Sequence, residues 1–295
     1  MNIGLLTRNE NAWCSSRLRQ AFTRLDVTAQ CLTFADLVSR ISITPSILLN
    51  GTNIQEKIKA ILVRPIGRGS LDEIIFRLNL LHTVCRGGLP VVNHPSSIEK
   101  AVDKYHTLIL LSEQGIHVPR TVVTENISEA IKAFHELGGD VVVKPVFGSR
   151  GIGAARISNE DIAERAFRTL QFNRHVLYVQ EFVPHGTRDI RVFLVGGKVI
   201  AAMFRVSSSW KTNVSRGAKP TALKCTAEIE ELAIRSAEVI GSEIAGVDIM
   251  ESKDGLLVGE VNSQPGWRGL QSATQVDIAE EIANYMISKA KGRVE

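Results

Sequence analysis

The sequence predicts an α/β fold, and three observations carry that prediction. Short apolar strands alternate with amphipathic helical stretches through the first hundred residues, the pattern of an open and largely parallel sheet. Further on, strand signals come in pairs around tight turns, as at 190–195 and 199–205 flanking Gly196-Gly197, which points to antiparallel sheet. The chain has 295 residues, 44% hydrophobic and 22% charged, enough for more than one core.

In order, residues 2–7 read as a first strand. Ser15-Ser16 are placed to cap a helix through Leu18, Ala21, Phe22 and Leu25. Strands follow at 29–34 and 47–49, the second running into an Asn50-Gly51 hairpin turn, and then at 60–63. A helix over 71–84 stops at Gly87-Gly88 and leads to a strand at 89–92. One helix is expected from Ser97 to Gly115, then a strand at 121–124, a helix at 128–137 and a strand at 141–145. A helix at 161–170 precedes a strand at 176–182. The polar stretch 207–221 has no periodicity and reads as a loop that closes over something. A helix over 228–240 capped by Thr226, strands at 245–250 and 256–261 around Lys253-Asp254-Gly255, and a helix over 277–289 complete the chain.

Composition excludes several classes. No window approaches the roughly 18 unbroken apolar residues of a spanning helix, and the opening run is broken at once by Arg8, Asn9 and Glu10, unlike a secretory signal. Cys14, Cys31, Cys85 and Cys225 form no CxxC pair, which speaks against zinc and disulfide frameworks and for a reducing, cytoplasmic setting. The net charge of +4 suits a mildly basic protein or one that neutralises anionic ligands. Aromatics at 5% and the lack of a long basic run leave no nucleic-acid platform.

Three motifs carry chemistry. The segment Phe147-Gly148-Ser149-Arg150-Gly151-Ile152-Gly153 follows a strand containing Lys144, and its glycines let backbone amides approach a phosphate. It reads as a flap over nucleotide phosphates or as an ordinary tight hairpin. Gln180-Glu181-Phe182-Val183-Pro184 ends a strand, and either offers its backbone to an adenine edge or is a plain edge strand before a turn. On the last strand pair, Glu260 and Asn262 are two residues apart and share a face, and Asp248 can meet them from the neighbouring strand. Two carboxylates and an amide oxygen make a hard-oxygen set suited to Mg²⁺ (or Mn²⁺). One face of this pair reads apolar, with Val247, Ile249, Val258 and Val261, and carboxylates set among them would need a cation. Lys104, Arg191, Asn213 and Arg216 are further polar candidates, each also readable as a surface residue.

Taken in order, these motifs resemble the ATP-grasp superfamily, and within it the RimK-like α-L-glutamate ligases. Matching segments are Trp13-Cys14-Ser15-Ser16-Arg17-Leu18, Val63-Arg64-Pro65-Ile66-Gly67, Val92-Asn93-His94-Pro95 with Lys104, and Val143-Lys144-Pro145 with its glycine loop. Gln180 to Val183, Asp189-Ile190-Arg191, Lys211-Thr212-Asn213, Gly246-Val247-Asp248 and Glu260-Val261-Asn262 continue the series across almost the whole chain. The resemblance implies an ATP-grasp fold in three parts: an N-terminal open α/β domain (1–98), a central α+β lid (99–183) and a C-terminal α+β domain with the metal site (184–295). It also implies ATP, Mg²⁺, L-glutamate and a carboxylate acceptor as ligands, and homo-oligomers are frequent among such enzymes.

By the same resemblance Lys104, Lys144 and the loop residues Gly148, Ser149, Gly151 and Gly153 would hold ATP phosphates. Backbone from Gln180 through Val183 would read adenine, Asp189 would hold the ribose side, and Lys211, Thr212 and Asn213 would lie near the phosphates. Asp248, Glu260 and Asn262 would hold Mg²⁺, Arg191 and Arg216 would stabilise the transferring phosphoryl and the substrate carboxylate, and Asn213 would lie close to the acyl-phosphate. The implied reaction makes an acyl-phosphate and then an amide.

Two departures bear on the acceptor. Gly217-Ala218 stands where RimK itself commonly has Gly-Gly, and Ser263-Gln264-Pro265-Gly266-Trp267 follows Asn262. The Trp267 segment is similar to members that add glutamate to a pterin cofactor such as tetrahydromethanopterin, which shifts the expected acceptor from a protein C-terminus or other peptide to a small cofactor. Trp267 either stacks on an aromatic substrate or packs internally. The residues alone equally permit a phosphotransferase, and a non-catalytic ATP-binding module is the rival of another class.

Overall fold

The computed structural model describes residues 1–148, 151–214 and 217–292. Strand β1 (Asn2–Leu6) leads into helix α1 (Trp13–Arg24) and strand β2 (Thr28–Leu32). A small antiparallel sheet of β3 (Leu37–Ser39), β4 (Ile47–Leu49) and β5 (Thr52–Asn53) follows, then α2 (Ile54–Lys57), β6 (Ala60–Val63), α3 (Leu71–Arg86) and β7 (Val91–Val92). The parallel strands lie in the order β2-β1-β6-β7, so the chain steps to one side of β1 and then returns to its other side.

Helices α4 (Pro95–Val102) and α5 (Lys104–Glu113) replace the single helix expected from Ser97. Asp103 is extended, which ends α4, and its carboxylate accepts from the His106 amide at 3.0 Å to start α5. The second sheet holds β8 (Thr121–Thr124), β9 (Val141–Val143), β10 (Ala155–Ile157) and β11 (Leu177–Glu181) in the antiparallel order β10-β9-β11-β8. Helices α6 (Ile127–Glu136) and α7 (Glu160–Phe172) bury Ala133, Phe134, Ala163 and Phe167 against it.

The third sheet contains β12 (Arg188–Val195), β13 (Lys198–Val206), β14 (Lys219–Leu223), β15 (Ile244–Ser252) and β16 (Gly255–Asn262), ordered β14-β13-β12-β15-β16 and antiparallel throughout. The expected loop over 207–221 therefore ends early, because β14 begins at Lys219 and pairs with β13. Helix α8 (Ala227–Ile240) is capped by Thr226 as the sequence indicates; α9 (Arg268–Gln271) and α10 (Ile278–Ala290) close the chain. Helix α1, in contrast, starts at Trp13 with an Ala12 cap that offers no side chain, two residues before the expected serines.

Strand periodicity divides β12 between two cores. Val192 and Leu194 pack with α8 residues such as Ala233 and Ile240, while Phe193 and Val195 pack with α10, α1 and the first sheet. The last helix thus returns to the first strands. Asn93, 1% exposed at the end of β7, fastens the same junction. Its side-chain amide donates to the carbonyls of Ile244 (2.7 Å) and Ser263, and its oxygen accepts from the Ile244 amide at 2.8 Å.

Candidate active site

Two β-bulges build the site. Counting back from the Gly196-Gly197 turn would pair Asp189 with Phe204, but a register shift at Phe193/Leu194 pairs it with Arg205. On β16 the shift between Asp248 and Ile249 leaves Gly259 unpaired, so Val258 opposes Ile249 while Glu260 opposes Asp248. Val258 and Val261 both bury on the α8 side, and Glu260 turns to the other face with Asp248. This corrects the sequence argument: the carboxylates are not set among Val247, Ile249, Val258 and Val261 but on the opposite face from them.

Along that face runs a charged network. Arg205 donates from Nε to Asp189 at 2.7 Å, and its Nη2 lies 3.0 Å from Asp248 Oδ2. Arg191 donates from Nη2 to the same Asp248 oxygen at 3.0 Å. Thr212 Oγ1 donates to Asp189 at 2.6 Å. Burial by itself would lower the Arg205 pKa, but Asp248 and Asp189 outweigh it and hold the guanidinium above its ordinary range. Asp189, 6% exposed with both oxygens engaged, does not line the cleft next to it, in contrast to the ribose contact that the resemblance implies.

That cleft lies between the second and third sheets and brings together most of the other expected residues: Lys104, Lys144, Gly148, Gly151, Gln180 through Val183, Lys211 through Asn213, Asp248 and Glu260. Lys104, the first residue of α5, donates to Gly148 O at 2.6 Å and so ties the glycine flap to the helix. Lys144, just past β9, donates to Gln180 Oε1 at 3.0 Å; Gln180 is oriented by donating to Thr121 Oγ1 at 2.8 Å. Burial pushes the Lys144 ammonium down to about 8, with Glu260 pulling the other way, Lys104 adding to the fall and Asp248 opposing it. The Glu181 carboxylate is taken by Arg120 at 2.7 Å, leaving only its backbone for a ligand, and the Val183 amide has no partner among the described residues.

Lys211 reaches across the cleft to Ala154 O at 2.6 Å, joining the segment that follows β13 to the far end of the glycine flap. Gly153 packs on Pro145 outside the cleft lining, and Arg191 and Asn262 also lie outside it. Ser149 and Arg216 lie outside the described residues. Sequence reasoning missed Arg205, which only the bulge sets opposite Asp189, and Trp210, which lines the cleft edge-on to Phe182 at 6.1 Å. An aromatic in the polar 207–221 stretch was the available signal for Trp210. Trp267 is 1% exposed, packed edge-on to Trp13 and Phe193 with Arg64 over its ring at 4.8 Å, so it packs internally and stacks on no substrate.

The donor set fits a hard divalent cation. Asp248 and Glu260 face each other across β15 and β16, and Glu260 makes no hydrogen bond or ion pair among the described residues. Asp248 Oδ1 is buried and touches Arg191 Nε without hydrogen-bond alignment. Asn262 donates to Gly246 O at 3.4 Å, which leaves its amide oxygen available.

A cleft with two lysines and a glycine flap on one wall and paired carboxylates on the other suits a nucleotide and a divalent ion, and the comparisons give the class, an ATP-grasp ligase. A family model described as the RimK-like ATP-grasp domain matches residues 101–286. Curated relatives named tetrahydromethanopterin:alpha-L-glutamate ligase include one from Methanococcus maripaludis, 33% identical over 99% of both chains. Another, from Methanocaldococcus jannaschii, is 36% identical over 84% of this chain and 89% of its own. Among solved structures, the ATP-grasp ligase PsnB with its minimal precursor, Mg and ADP superposes with a TM-score of 0.78 at 18% identity, covering 98% of this chain and 97% of that one. The chain belongs to the RimK-like ATP-grasp family, and it is an ATP-dependent ligase that joins a carboxylate to an amine. No helix among the described residues is long and apolar enough to cross a membrane.

Proposed function

We propose that the enzyme adds L-glutamate to a carboxylate of a small pterin cofactor of the tetrahydromethanopterin type, using ATP and Mg²⁺. The observation that carries the nucleotide and metal part is the meeting, in one cleft, of Lys104 and Lys144 with Asp248 and Glu260. The acceptor is supported by relatives of that name at 33% and 36% identity over most of the chain. Residues 1–98 are then the N-terminal α/β domain, 99–183 the central lid and 184–295 the C-terminal domain with the metal site.

In this reading Lys104 and Lys144 hold the nucleotide phosphates under the flap of Gly148, Gly151 and Gly153, and the backbone from Glu181 to Val183 reads adenine. Asp248 and Glu260, with Asn262 beside them, would hold Mg²⁺, which when bound disperses phosphoryl charge. Arg191 stands beside Asp248 to stabilise the phosphoryl in flight and the acyl-phosphate that follows. Asp189 acts at one remove, positioning Thr212 and Arg205. Amine attack on the acyl carbon then releases phosphate and forms the amide. Lys211, bridging to Ala154, closes the cleft against water.

The test is a reaction of purified protein with Mg-ATP, L-glutamate and tetrahydromethanopterin, read by ADP release and product mass. A glutamyl adduct of the pterin is expected. Turnover only on peptides ending in glutamate, or none without a protein acceptor, would overturn the cofactor assignment.

A further inference from the structure

A second pair of positive poles lies at the first sheet, outside the lining of the cleft. In β2-β1-β6-β7 the chain changes direction between β1 and β6, and open parallel sheets bind ligands at the carboxyl ends of the strands flanking such a switch. Arg64 immediately follows β6 and Arg8 closely follows β1. Arg64 is 6% exposed, yet it forms no ion pair among the described residues. Its contacts among the described residues are neutral: it donates to Pro265 O at 3.1 Å, lies over the Trp267 ring and has the Cys14 thiol beside it. Arg8 crosses Gly67, where a Cβ would fall 2.1 Å from the Arg8 Cδ.

The second observation is the start of α1. Cys14 is its second residue, so Arg64 lies against its first turn. That end has no side-chain cap and no acidic residue in its first turn. A buried guanidinium beside an uncapped helix N-terminus places two positive poles together, each favouring an anion. Pro265 follows β16 by three residues, so this pole adjoins the strand that carries Glu260 and Asn262.

We propose that Arg64 and the N-terminus of α1, with Arg8 at the rim, bind a substrate carboxylate that does not react, and so hold one ligation partner on the side away from ATP. The inference rests on the ligase reading. The carboxylate belongs either to the free amino acid or to the acceptor, and one experiment separates these.

Arg64→Met, Arg64→Lys and Ala12→Asp are compared with the parent protein. Binding of L-glutamate and of tetrahydromethanopterin is measured by calorimetry in the presence of ADP, alongside KM for both and for ATP. Arg64→Met is expected to weaken one of the two by at least about tenfold, with partial rescue in Arg64→Lys and KM for ATP within about twofold. Ala12→Asp supplies its own carboxylate at the helix cap, and is expected to raise Tm while weakening the same ligand, a combination a structural role would not give. Loss of glutamate binding assigns the site to the amino acid, and loss of pterin binding assigns it to the acceptor. Unchanged binding of both in Arg64→Met, or in Ala12→Asp should Arg64→Met not fold, overturns the proposal. So does failure of the parent protein to bind either ligand. Binding that depends on Arg64 in a protein that makes no product would remove the ligase reading and leave this site standing.

Discussion

Among single residues, Glu260 is the cleanest probe of the site. It faces the cleft opposite Asp248 and holds no other partner among the described residues, so its carboxylate contributes little to folding. Glu260→Gln is expected to lower amino-acid-dependent ADP release by roughly 10²- to 10³-fold, with unfolding free energy within about 0.5 kcal/mol of the parent; full turnover would remove Glu260 from the machinery. Asp248→Ala should behave differently, because it strands Arg191 and Arg205 and is expected to cost about 3 kcal/mol or more of stability as well as activity. Lys144 adds a pH dependence. Its folded-state pKa is about 8 against an ordinary 10.5, so the folded chain releases this proton first; the folding penalty is full below pH 8 and is relieved as pH rises towards 10.5. Phosphate binding needs the charged form. Affinity for ADP without added divalent ion should therefore be level below pH 8 and fall by up to roughly tenfold per unit above it. In Lys144→Arg that inflection should vanish.

At the level of elements, the hairpin turns, the strand alternation and the Thr226 cap were legible, because each follows from a few adjacent residues, whereas the cap expected at Ser15-Ser16 was not where α1 begins. Asn50-Gly51, Gly196-Gly197 and Thr226 stand where the sequence puts them. The site was legible only in part. Lys104, Lys144, Asp248 and Glu260 announce themselves as charges beside strands, but the bulges at Phe193/Leu194 and at Gly259 decide which face each charge meets. A one-residue shift inverts a strand's faces and leaves no mark in local composition. That is why Arg205 went unseen and the face of the carboxylates was misjudged. Long-range fastening was equally hidden: nothing around Asn93 says that its amide will hold the start of β15 and the end of β16. Asn93→Ala leaves the buried Ile244 amide unpaired and is expected to cost about 1–3 kcal/mol in denaturant unfolding. Turnover should fall with it, since β15 and β16 carry Asp248 and Glu260; an unchanged midpoint would show that the link carries no load.

For the molecule as a whole, the chain is sewn together at both ends of its length. Helix α10 packs on α1 and the first sheet, while the second sheet meets the third across the cleft and through Lys211 and Ala154. A ligand in that cleft bridges two sheets, so its binding energy adds to global stability. ADP with Mg²⁺ at 100 times its Kd is expected to stabilise the fold by about 2.7 kcal/mol, seen as a rise in Tm. Glu260→Gln should lose much of that rise.

The doubly held Asp248 sets an order of loading. Two guanidiniums already share its oxygens, so a bare cation arriving first must compete with both for one carboxylate. On the proposed function, a nucleotide phosphate would give Arg191 another anion and free Asp248 to turn to the ion. Nucleotide and ion would then load as a joint cargo: Mn²⁺ alone should leave the melting curve where it was, and Mn²⁺ with ADP should move it further than ADP alone.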